Sequence, residues 1–243
     1  MRGWLFFPDE AEAGTEVNFL SSAEVYKVDA VAFNIASGSY TPHGSAAEVV
    51  LVIAGRPAGA DTIGGYTVTI DSVSPDEEVF IEPTGSSAEQ NLWIGRWRGA
   101  PSGTVEITSI PGDAGSQWNN IVAVGISLDR ASIFGASTTR ADDDGTATTS
   151  GERSFTSEQA DSIGIIAASV NRNIEDRFTP NVSFPYTEIY DDTPNVGGQS
   201  SADLSAHVGH LALGSVGSKS VQTDWTTADE WAHGFWELKA DTA

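Results

Sequence analysis

Groups able to do chemistry are scattered along the chain, and their spacing decides which of them could act together. Asp142-Asp143-Asp144-Gly145 has the acidic, turn-forming look of a calcium loop. With Gly145 in the sixth position, however, Arg140 falls at the first and Gly151 at the twelfth, so both principal ligands are missing. His207 and His210 are three residues apart in a segment that reads as a strand. Alternation sends them to opposite faces, away from any shared metal. His43 and His233 stand in no ligand pattern, and no metal or other cofactor is expected. Serine is abundant, but no Gly-x-Ser-x-Gly elbow sets one up as a nucleophile. A glycosidase would place two carboxylates across a cleft, and 34 acidic residues single out no pair. No phosphate-binding glycine loop leads from a strand into a helix. The chain therefore reads as a non-enzyme.

Aromatic residues offer binding chemistry instead. Trp93 and Trp97 are four apart on a strand, with Gly95 between them, so they share a face. Such a pair is a candidate glycan-stacking platform, and equally a piece of core with Arg96 and Arg98 turned outward to solvent or acidic neighbours. Trp4-Leu5-Phe6-Phe7 is a second candidate, an apolar arm for a partner subunit. Four such side chains would bury more than about 300 Å². The alternative is a hairpin with Val17–Leu20 that extends the chain's own sheet.

The elements that must carry these residues are strands almost throughout. Short runs of Val, Ile, Thr and aromatics alternate with Gly, Ser, Pro, Asn and Asp. Strands are expected at 17–20, 30–35, 48–54, 66–70, 78–81, 90–97, 103–107 and 120–128. A second series is expected at 153–157, 161–169, 187–190, 205–213, 219–223 and 232–239. Turns are expected at Ser37-Gly38-Ser39, Pro101-Ser102-Gly103, Pro111-Gly112-Asp113 and Pro194–Gly198. One helical turn is expected from Thr227, with Glu230 completing a capping box.

The two series also match in spacing. Ser37-Gly38 and Ser150-Gly151, the strands opening at Glu48 and Asp161, and Trp118 and Trp231 are each 113 residues apart. The reading is an all-β, jelly-roll-like two-sheet sandwich built from two similar halves, about 27–135 and 150–240, facing each other across about 10 Å. Residues 1–26 form the N-terminal arm or hairpin, 27–243 the sandwich domain, and Gly135–Gly151 the link between halves.

Composition narrows the partners. The 34 acidic and 12 basic residues give a net charge of -22, which repels phosphate and anionic lipid, so neither nucleic acid nor a membrane is expected as partner. There is no cysteine, and no apolar run approaches the roughly 20 residues of a membrane helix.

The order of motifs from residue 27 onward carries a resemblance. Val31-Ala-Phe33 precedes Ser37-Gly-Ser-Tyr40, followed by Val49–Ala54, Gly64-Gly65-Tyr66 and Leu92-Trp-Ile94. Gly99-Ala-Pro-Ser-Gly103, Ile121–Ser127, Phe134-Gly-Ala-Ser137, Asp161–Ala168, Phe178-Thr-Pro180 and Trp231-Ala-His233 complete it. This resembles a β-sandwich domain recurrent in phage tail and virion-surface proteins. The resemblance implies a bacteriophage virion structural protein, expected as a decoration or cement protein on the capsid. It would be made in the host cytoplasm and bound to the major capsid protein or tail proteins, as a homo-oligomer such as a homotrimer. A tail-fibre or spike component, or a glycan-binding receptor module, is the alternative.

Overall fold

The computed structural model describes residues 16–57, 65–81, 90–112, 116–142, 148–171, 179–180, 185–192, 204–229 and 231–241. Every regular element among them is a strand. The first half contributes β1 (Phe19–Phe33), β2 (Ala36–Tyr40), β3 (Glu48–Pro57), β4 (Tyr66–Ile70), β5 (Glu77–Ile81), β6 (Asn91–Arg98), β7 (Val105–Pro111) and β8 (Trp118–Leu128). The second half contributes β9 (Ser132–Asp142), β10 (Thr148–Ser157), β11 (Ile163–Asn171), β12 (Thr179–Pro180), β13 (Thr187–Asp192), β14 (Leu204–Ala212), β15 (Gly217–Asp229) and β16 (Trp231–Ala240). All described pairings are antiparallel.

The sheets repeat as the spacing predicts. One half forms a five-stranded sheet, β1-β8-β3-β6-β5, and a three-stranded sheet, β2-β7-β4. The other forms β9-β16-β11-β14-β13 and β10-β15-β12, the same orders strand for strand. Even the tryptophan landmarks keep their places, with Trp118 opposite Pro57 and Trp231 opposite Val170.

The all-β sandwich class holds, but with four sheets in place of two. The reason is visible in β3, whose ten residues are all buried. Val50, Val52 and Ala54 point into the core shared with the second half. Val49, Leu51 and Ile53 point the other way, onto the three-stranded sheet of their own half. β11 does likewise, with Ile163, Ile165 and Ala167 in the shared core and Ile166, Ala168 and Val170 facing its own outer sheet. An unalternating apolar run is what a strand covered on both faces requires. Each half is thus a two-layer sandwich, and the two five-stranded sheets stack at the centre.

Local departures have local causes. The strands expected at 17–20 and 30–35 are joined in one continuous β1, because bulges near Ser21, Tyr26 and Phe33 keep its ladder to β8 going through the polar Ser21–Glu24 stretch. The boundary expected after residue 26 therefore falls inside a strand. Ser37-Gly38-Ser39, expected as a turn, is the middle of β2. There a side chain in place of Gly38 would run into the Val25 carbonyl. The link expected over Gly135–Gly151 is largely β9 and β10, and the halves are joined instead by Asp129–Ala131. The helical turn expected from Thr227 is strand, since Thr227 lies within β15. Trp4–Phe7 and the Pro194–Gly198 turn lie outside the described residues.

A two-residue hairpin turn links Ile70 to Val73 through reciprocal backbone bonds of 2.9 and 2.8 Å. Asp71 and Ser72 both have positive φ, 46° and 69°, the signature of a type I′ turn. Asp71 earns its place by accepting the Glu106 N–H at 2.8 Å, whereas Ser72 bears its strain without such a bond. Replacing Ser72 with glycine should stabilise the protein by about 1 kcal/mol in urea denaturation, with an unchanged slope.

Candidate functional site

The face of β6 that carries Trp93 and Trp97 turns inward. Both side chains sit in the core between the sheets of the first half, 1% and 4% exposed, with ring centroids 6.0 Å apart. Gly95 leaves the room that the Trp93 ring occupies. The indole N–H groups are committed as well. Trp93 donates to Glu78 Oε2 at 3.0 Å and Trp97 to the Val73 carbonyl at 2.9 Å. A stacking platform needs an open ring face, so of the two readings offered for this pair the core holds and the glycan-stacking one does not.

The segment these indoles bind walls a half-open cleft of about 310 Å³, lined by Tyr66, Thr67, Ser74, Asp76, Glu77 and Glu78 among others. Its carboxylates serve the fold. Asp76 accepts the Arg98 backbone N–H at 2.7 Å, Glu78 holds Trp93, and Glu77 holds Arg96.

Arg96 is the residue whose placement the sequence concealed. It alternates with the tryptophans and meets acidic neighbours, one of the two expected outcomes, but it does so fully buried in the layer between the halves, not out at the solvent. Its guanidinium bonds Glu77 at 2.8–2.9 Å, reaches Glu48 at 3.5 Å and lies 5.8 Å over the Phe134 ring. Glu48 in turn accepts the Ser132 N–H at 2.6 Å and its hydroxyl at 2.5 Å, while Glu77 accepts the Phe134 N–H at 3.1 Å. This Glu48–Arg96–Glu77 clamp fixes the start of β9 to the first half. Burial raises the Glu48 pKa against these bonds. Burial acts the same way on Glu77, but there the Phe134 N–H and Arg96 prevail and hold the carboxyl below its ordinary value. The available signal was Glu48 opening the apolar run Val49–Ala54, two residues before Val50, the register partner of Arg96. Arg98 does reach an acidic neighbour, pairing with Asp241 at 2.7 Å.

Two further polar centres occupy the second half. Glu237 accepts Ser162 Oγ at 2.7 Å, Ser157 Oγ at 3.0 Å and the N–H groups of Glu158 and Gln159 at 3.0–3.2 Å. Burial works to raise its pKa, but these donors outweigh it and lower the pKa, anchoring the β10–β11 turn. Between the two sheets of this half runs a chain of hydrogen bonds. His207 Nε2 meets Tyr186 OH at 2.7 Å, Tyr186 OH meets Thr223 Oγ1 at 2.8 Å, and Thr223 Oγ1 meets His233 Nε2 at 3.1 Å. Burial drives the His207 pKa down to about 3 and His233 well below its ordinary value, aided there by Arg153, so both imidazoles are neutral. His210 lies on the opposite face, stacked on Phe19 at 4.3 Å. Among the described residues no cluster of three or more His, Asp or Glu could hold a metal ion. Asp143–Gly145 of the acidic turn and the Trp4–Phe7 arm lie outside those residues.

These centres are built to hold strands. Arg96→Ala would leave Glu48 buried without its cation and should cost about 3–5 kcal/mol in chemical denaturation. The histidines have folded pKa values below the 6.5 of the unfolded chain, so their contribution is complete above pH 6.5 and is lost as pH falls toward 3. The expected slope is at most about 1.4 kcal/mol per pH unit for each histidine. Asn120 is the residue 113 positions before His233, and His233→Asn should remove one histidine's share of the slope between pH 6 and 4. Comparison with family models, curated proteins and solved structures gave no match.

Proposed function

We propose that this chain is a non-enzymatic structural protein of a bacteriophage virion, seated on the particle surface as a decoration or cement protein of the capsid. The observation that carries the reading is how the chemically capable groups are used. Trp93 and Trp97, the Glu48–Arg96–Glu77 clamp, the Glu237 cage and the buried histidines all join strands to one another. A body held this way presents a fixed outline, which suits a protein that adds contact area across neighbouring shell subunits. Charge fits the same role, because a net -22 keeps coated particles mutually repulsive and soluble. The virion setting itself is taken from the resemblance of the strand and turn order to virion-surface sandwiches.

The test is localisation in intact particles. Gradient-purified virions should contain the chain by mass spectrometry, and cryo-electron microscopy should place its four-layer density on the head lattice at symmetry-related positions. Virions that lack the chain, or that carry it only on the tail, would refute a decoration role.

A further inference from the structure

The two halves do more than repeat; they meet reciprocally. β3 lies against β11, its own counterpart. β8 lies against β14, while their counterparts β16 and β6 lie against each other. The same exchange relates β3 with β14 to β11 with β6, and at the sheet margins β1 with β13 to β9 with β5. Contacts that map onto themselves when the partners are swapped define an isologous interface, the kind that relates two copies by a two-fold axis. Here the axis is internal, passing near β3 and β11.

We infer that the chain is a covalently fused dimer whose central face can be completed by a second copy of the chain, the first half of one molecule packing on the second half of another. Three features favour exchange. The shared core is a continuous apolar layer contributed by β3, β6 and β8 on one side and β11, β14 and β16 on the other. Around it, Lys27–Asp192 at 2.7 Å, Glu24–Tyr190 at 3.0 Å and Arg98–Asp241 at 2.7 Å join one half to the other, so the same set can form between molecules. Finally, the connection is only Asp129–Ala131, between Leu128 and Ser132.

That length is what keeps the interface within one molecule. Four Cα steps from Leu128 to Ser132 reach roughly 14 Å, enough to cross the roughly 10 Å between stacked sheets. Deleting Arg130 and Ala131 leaves two steps, roughly 7 Å, too short to cross.

The experiment uses full-length protein with and without that deletion, measured by size-exclusion chromatography with light scattering and by circular dichroism. The deletion variant should double in mass, to a closed dimer with the β-sheet spectrum of the parent. A folded monomer would overturn the inference. If the variant yields no folded protein, wild type decides. Two differently tagged forms, unfolded together and refolded at rising concentration, should give a mixed-tag dimer fraction that grows with concentration. Absence of mixed-tag dimer at any concentration would overturn the inference as well.

Discussion

Water is excluded from both faces of the central strands, and the rest of the molecule follows from that exclusion. β3 and β11 stand in the middle of five-stranded sheets that are covered on one side by the opposite half and on the other by a three-stranded sheet. A backbone in that position can satisfy its N–H and C=O groups only through ladders on both edges, and β3 and β11 each have two strand partners. Side chains in both directions must be apolar or internally bonded. The outer three-stranded layer on each side is therefore a requirement: a five-stranded sheet apolar on two faces would otherwise leave one face wet.

The charged and titratable groups at the centre of this interior enter it with bonded partners. Arg96 is accompanied by two carboxylates, and one of those carboxylates by a serine that starts the next strand. Glu237 is surrounded by hydroxyl and backbone donors that close a turn. The imidazoles are neutral and linked through a tyrosine and a threonine. A buried charge is costly unless paired and hydrogen-bonded, and each of these groups is spent where the chain changes layer or where two sheets must keep their spacing. Lone ionisable residues would have been tolerated only at the surface. There, carboxylates predominate.

Aromatic side chains and glycines solve a related problem of volume. Trp93 lies over Gly95, Trp236 over Gly234, Phe235 against Gly164 and Tyr40 over Gly125. A large ring fits between closely packed sheets where a neighbouring position on the same face gives up its Cβ. The pairing places rings flat along the strands and explains why aromatics that look like ligand platforms in the sequence are interior filling.

The sequence by itself determined the strand content, most strand positions and the repeat of 113 residues, because strand formation and burial on both faces leave marks in local composition that survive without neighbours. Edge segments were not legible. Ser37–Ser39 and Ser132–Asp142 are too polar or too rich in small residues to announce strands, and only pairing with β7 and β16 makes them so. The direction of a side chain was equally hidden: Trp93 and Arg96 alternate as expected, but which face meets the second half depends on how the sheets stack. Tertiary structure alone decided that the molecule has four layers, that the crossing between halves is Asp129–Ala131, and that its halves meet about an internal two-fold. The layering and the two-fold are relations between strands that are not neighbours in the sequence, and alternation along one strand carries no record of them.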